Sequence, residues 1–118
     1  MIMDIPVEIQ KIMEPKETIE QFIDGEKYPD ITIDTLAVTN ERIIVRRPQT
    51  VAVKSDLTIY SYTDIVGVGL EKGFMRSILR LKVKNGGVFM DSIRLPATVA
   101  EETFGFIKDK VCVLSLSK

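Results

Sequence analysis

Arg80, Lys82 and Lys84 alternate with Leu79, Leu81 and Val83. A strand's period of two puts the cations on one face and the aliphatic side chains on the other. The chemistry on offer is attraction of an anion: a lipid headgroup, a phosphate or an acidic protein surface. Just upstream, Gly73-Phe74-Met75-Arg76 follows Lys72 and reads as a hairpin tip with two large apolar residues between basic ones. That is the pattern of a wedge that enters a membrane interface or a partner's groove. Lys72, Phe74, Met75, Arg76, Arg80, Lys82 and Lys84 are therefore the candidate partner- or ligand-binding residues. Plainer readings stand beside both features: a solvated strand face whose charges discourage edge pairing, and a tip that folds back to plug the end of a barrel. The stripe has no interleaved aromatics on which bases could stack, so nucleic acid is disfavoured.

Catalysis has little to work with. The 118 residues hold one Cys and no His, which removes Ser-His-Asp and Cys-His mechanisms and histidine metal sites. Only carboxylates, Lys, Tyr and Cys112 remain for acid-base or nucleophilic work. Asp30 with Asp34, or Glu101 with Glu102, are nominal carboxylate pairs, but acids in turns and at helix starts have ordinary structural reasons. Cys112 lies between Val111 and Val113 and reads as a small buried hydrophobe. We expect no enzyme, no cofactor and no metal. A lone cysteine suits a reducing cytoplasm. Residues 1–6 lack a signal peptide's basic start and apolar run, and the stretch Ile65 to Leu70 falls far short of the roughly 18 residues of a membrane span. The expected location is cytoplasmic, or at most peripheral to a membrane.

The formal net charge of -1 is deceptive. Residues 1–34 carry nine acids and three bases, net -6, while residues 42–94 carry ten bases and four acids, net +6. Three arrangements follow: neutralisation within one molecule, docking of one subunit's acidic end on another's basic face, or an anionic ligand on the basic strands. The first is the plainest.

The elements that must position these residues are short. Pro6 to Met13 has helical spacing with Pro at a first-turn position. Glu17 to Asp24 fits a strand before Gly25. Ile31 to Thr39 changes phase, which a bulge near Asp34-Thr35 would explain. Asn40-Glu41 reads as a tight hairpin with Asn able to turn left-handed. Beyond it come the strands 42–46, 57–62 and 65–71, then 79–84, with Asn85-Gly86 as a type I′ turn. The returning strand puts Val88 and Met90 out of phase with Ile93 and Leu95, again suggesting a bulge. After Pro96, the Thr98 and Glu101 spacing and an apolar stripe give an amphipathic helix.

Seven antiparallel strands closed by one helix, with Leu36-Ala37-Val38-Thr39-Asn40-Glu41-Arg42-Ile43-Ile44-Val45, Tyr62-Thr63-Asp64-Ile65-Val66-Gly67-Val68 and the turn and strand from Gly73 to Val83, resemble the bacterial and archaeal branch of the pleckstrin-homology-like (PH-like) domains over about residues 15 to 112. The resemblance implies a mainly β fold, α+β by content. It would be a seven-stranded PH-like barrel or sandwich capped by a C-terminal amphipathic helix, with a short N-terminal helix. One domain would span 1–118: an extension to 14, strands over 15–95, a helix over 96–112 and a tail over 113–118. It also implies use as a binding module with no catalytic residues to carry over. In eukaryotic members that grip phosphoinositides, a Lys and a following basic-x-Arg pair clamp the phosphates. Here Lys27 is followed by residues 28–34 without that pair. The function that results is a non-catalytic interaction domain for protein contact or self-association, and the alternative is a peripheral membrane or anionic-ligand module on the basic face.

Overall fold

Apolar residues spaced two apart recur along most of the chain, and they build strands. The computed structural model describes residues 5–28, 30–47 and 57–116, the side chains of 113–116 excepted. In chain order the elements are α1 (Val7–Ile12), β1 (Ile19–Ile23), β2 (Thr35–Thr39), β3 (Arg42–Arg46), β4 (Leu57–Ser61), β5 (Ile65–Glu71), β6 (Arg76–Lys84), β7 (Val88–Pro96) and α2 (Ala97–Leu116). The strands form two antiparallel sheets, ordered β1-β2-β3-β4 and β5-β6-β7. Among the described residues no strand pairs from one sheet to the other, so the architecture is the open sandwich and not the closed barrel.

The core lies between the sheets. Leu36 and Val38 of β2 stand opposite Val45 and Ile43 of β3, and they face Leu79, Leu81 and Val83 of β6 with Ile93 and Leu95 of β7. Ala100 and Ile107 of α2 join the same cluster, and Lys110 bridges to Glu20 on β1 at 2.6 Å. The first sheet is also covered on its outer face. Ala37 and Ile44 pair across β2 and β3 and bury Ile9 of α1, which is why β2 has no exposed position. A six-residue helix has little stability of its own. This one is held by Ile9, by the Glu8–Arg46 ion pair at 2.9 Å and by a hydrogen bond that the Arg42 guanidinium donates to the Ile12 carbonyl. Ile9→Val removes one buried methylene and is expected to cost about 1 kcal/mol, measurable as a lower urea midpoint at unchanged slope; a shift no larger than that of an exposed substitution would mean α1 is not packed in solution.

Four local expectations need correction. The phase change at Asp34-Thr35 is not a bulge: the ladder begins at Thr35, and the preceding Asp34 N–H donates to the Arg94 carbonyl of the other sheet at 3.0 Å. The β6–β7 ladder is likewise continuous from Lys84 opposite Val88 to Arg76 opposite Pro96, so Val88 and Met90 turn outward as apolar residues on the solvent face. Asn40 has no left-handed backbone; its turn is organised by the Thr39 hydroxyl, which accepts from the N–H groups of Glu41 and Arg42, while the Asn40 side chain accepts from the Thr18 N–H. The β6–β7 connection is three residues long, with positive φ (72°) at Gly86 alone among the described residues. That is a different turn from the two-residue type I′ pair, which needs positive φ twice.

Candidate functional site

The β5–β6 hairpin carries the apolar tip. Gly73 is required there, because a Cβ would run into the Arg76 carbonyl oxygen. The Gly73 N–H donates to the buried Ser77 hydroxyl at 3.2 Å, and the Met75 carbonyl accepts from the Ala97 N–H at the start of α2 at 3.1 Å. The tip is thus fixed to the fold at its base while its side chains stand free: Phe74 is 98% exposed and Met75 57%. Neither folds back to plug the sandwich.

The flanking charges are largely engaged. Lys72 pairs with Glu101 of α2, and Arg76 donates to the Thr32 carbonyl at 3.2 Å. Midway along β6, Arg80 meets Glu71 at 3.3 Å and donates to the Ser92 hydroxyl at 3.1 Å. Lys82 and Lys84 are exposed and make no ion pair among the described residues. The seven candidate residues therefore do not form one patch. Arg76 and Lys84 lie at opposite ends of the nine-residue β6, roughly 26 Å apart at strand rise, with the apolar tip at one end and the unpaired lysines at the other.

The division of charge along the sequence is resolved inside the molecule. Glu8 and Glu26 pair with Arg46, Glu17 with Arg42, Glu20 with Lys110, and Asp34 with Arg47 and Arg94. Four of the nine acids of the N-terminal stretch thus pair with the basic region that follows it, and a fifth, Glu20, with α2. Lys54, which adds to the basic count, lies outside the described residues.

The nominal acid-base groups are similarly occupied. Asp34 is fully buried under its two arginines, away from the exposed Asp30, and Glu101 serves Lys72. The Tyr60 phenol is pushed above its usual range by burial and by its hydrogen bond to Asp91. Tyr62 is pushed up by burial and by the charges of Glu20 and Glu17, and it donates to the Thr39 carbonyl at 2.5 Å. Both phenols stay protonated near neutrality and act as structural donors. Among the described residues, no group of three or more His, Cys, Asp or Glu side chains is placed to hold a metal ion. Cys112 is exposed rather than buried, since it sits on the face of α2 turned from the Ala100–Ile107 side. It is expected to react fully with a thiol reagent in native buffer as fast as in urea. Protection in the native state would put α2 in a different rotation.

Sequence periodicity missed one surface. Val88 (58%), Phe89 (46%) and Met90 (59%) are exposed together at the start of β7. Their signal in the sequence is the phase change between Val88–Met90 and Ile93–Leu95.

The two-sheet sandwich with its C-terminal helix agrees with the comparison with known families. The sequence matches the family model described as a bacterial PH domain over residues 13–109. The chain belongs to that family. The match begins after α1. No curated protein and no solved structure matches the chain. PH-like domains are commonly interaction modules and generally non-catalytic. No helix among the described residues of this bacterial PH domain is long and apolar enough to cross a membrane.

Proposed function

We propose that this bacterial PH domain is a non-catalytic docking module that makes protein contacts through the Phe74–Met75 tip, self-association included. The observation that carries this is the 98% exposure of Phe74 on a hairpin fixed at its base. A large apolar side chain held out in water is stabilised when a partner removes it, by about 2 kcal/mol for full burial. The charges beside it favour a protein over a membrane. Lys72 and Arg80 already have carboxylate partners, so the tip lacks the run of free cations that draws a domain to anionic lipid. A cytoplasmic setting is part of the proposal, supported by the single, exposed thiol.

Sedimentation velocity over a wide concentration range tests the reading, with Phe74→Ser beside the parent protein. The substitution is expected to leave stability within about 0.5 kcal/mol, as for an exposed position, and to weaken self-association. A strict monomer removes self-association and leaves a different protein as the partner. Phe74-dependent sedimentation with anionic vesicles would overturn protein docking in favour of a membrane.

A further inference from the structure

We propose a second docking surface, independent of the tip: the open edge of β7 at Val88–Met90, which takes an extended partner segment in which acidic and large apolar residues alternate.

β7 is the last strand of its sheet. In an antiparallel strand the N–H and C=O of one residue point to the same edge, and alternate residues share that edge. At the C-terminal half of β7 the outward groups are occupied. The Arg94 N–H donates to the Asp34 carboxylate at 2.8 Å and its carbonyl accepts from the Asp34 N–H at 3.0 Å. The Ser92 carbonyl accepts from Arg47 at 2.9 Å, and the Ser92 N–H is taken by Asp91. Continuing the period of two, Met90 and Val88 present their N–H and C=O at the same edge, and no partner meets them there among the described residues. An edge without a partner among the described residues, flanked by exposed apolar side chains, is a template for strand addition.

The side chains define the chemistry of the added segment. Met90 stands opposite Lys82 and Val88 opposite Lys84, so the outer face reads as two apolar residues backed by two lysines. Of the other cations of this sheet, Arg80 and Arg94 have carboxylate partners, and Arg76, at the far end of β6, donates to the Thr32 carbonyl. A strand laid beside β7 places its outward residues about 4.8 Å beyond Met90 and Val88, where a glutamate or aspartate can extend over them toward Lys82 and Lys84, long side chains reaching past one intervening position. On the opposite face Phe89 lies 6.3 Å from the Tyr60 ring, tilted at 46°, so the residues of the other parity would meet an aromatic pair and should be large and apolar. A second copy of β7 does not fit. Antiparallel pairing of two such edges gathers four lysines on one face with no acid among them, and like charges so placed repel.

The probe is a labelled eight-residue peptide alternating glutamate and leucine, followed by fluorescence anisotropy at low salt, with a lysine–leucine peptide as control. The glutamate peptide is expected to bind, and the lysine peptide to bind at least about tenfold more weakly. Reversal of both lysines, Lys82→Glu with Lys84→Glu, is expected to invert the preference. Met90→Pro deletes one outward N–H without touching the β6–β7 ladder, as proline is tolerated on a free edge, and is expected to abolish binding. Phe74→Ser is expected to bind the peptide as the parent does, which separates this surface from the tip. No binding of the glutamate peptide at near-millimolar concentration, equal binding of the two peptides, an uninverted preference in the double variant, or loss on Phe74→Ser would each overturn the proposal.

Discussion

Asp34→Ala is expected to lower the free energy of unfolding by about 3 kcal/mol, the low end of the range for breaking a buried ion pair. The Asp34 side chain has no solvent exposure. It accepts the Arg94 N–H at 2.8 Å, Arg94 Nη2 at 2.7 Å and Arg47 Nη1 at 2.9 Å. These bonds join the chain entering β2 to the middle of β7, and Arg47 carries the junction on to Asp91 at 2.6 Å, where the Tyr60 hydroxyl also donates. Because no backbone ladder links the two sheets among the described residues, this network is a polar seam between them. Alanine would strand two guanidinium groups, but they keep 24% and 33% of their exposure, and water can take over part of the lost bonding; hence the low end. Asp34→Asn keeps the shape and loses the charge, and is expected to fall between the parent and alanine. Urea unfolding followed by far-ultraviolet circular dichroism measures both, and a loss below about 1 kcal/mol, the net worth of one ordinary hydrogen bond, would show that the seam is dispensable.

Asp34 also marks how far the residue sequence can be read. The seven strands were legible because each has an apolar face, and Leu79, Leu81 and Val83 occupy three of the four buried positions of β6, the polar Ser77 being the fourth. What periodicity could not supply was the reason for a break in it. A phase change has two physical sources. The strand can acquire an extra residue, or the environment of its faces can change. Both breaks here were of the second kind. At Asp34 the chain, still short of the ladder that begins at Thr35, meets the other sheet; at Val88 the ladder continues and apolar residues face water. Local pattern does not distinguish these, because the deciding contacts, Arg94 to Asp34 and Lys82 to Met90, come from other strands.

The candidate site shows the same division. The tip was legible as glycine followed by two large apolar residues, a local pattern. Whether those residues turned inward depended on the Met75–Ala97 bond to α2, made across more than twenty residues. The basic stripe was legible as a stripe, but its free charge was not. Which cations remain unpaired depends on Glu71 and Glu101, brought in by β5 and α2. The contrast of -6 and +6 along the chain described sequence neighbours. The fold sets part of each beside the other, and among the described residues of the basic stretch Arg76, Lys82 and Lys84 are left without a carboxylate partner.

Glu17 tests that neutralisation directly, and through pH. Its carboxylate has no solvent exposure. It accepts from Arg42 Nη2 at 2.8 Å, Arg42 Nε at 2.9 Å, the Thr39 hydroxyl at 2.6 Å and the Glu14 N–H at 3.0 Å. Burial pushes its pKa up, but the hydrogen bonds from Arg42, Thr39 and the Glu14 backbone, with the Arg42 charge, outweigh it and hold the carboxyl below the ordinary 4.5. A carboxyl with a depressed folded pKa binds fewer protons in the folded than in the unfolded state as pH falls through this region, so stability rises with pH there. Its contribution is complete above the unfolded value of 4.5 and is lost as pH falls through the lower folded value. Glu17→Gln is therefore expected to be less stable than the parent by about 3 kcal/mol near neutrality. The gap should narrow as the pH drops below 4.5, because the parent then loses by protonation what the variant already lacks. Glu8, lowered first by its hydrogen bond from Arg46, acts with the same sign, but it is present in both proteins and cancels in the difference. Arg42 also holds the Ile12 carbonyl, so the variant should release α1 before the sheets open. Hydrogen exchange over residues 7–13 of Glu17→Gln should then exceed that of the β6–β7 ladder by more than in the parent. A pH-independent gap, or uniform acceleration across the fold, would assign Glu17 to packing alone and leave α1 held by Ile9.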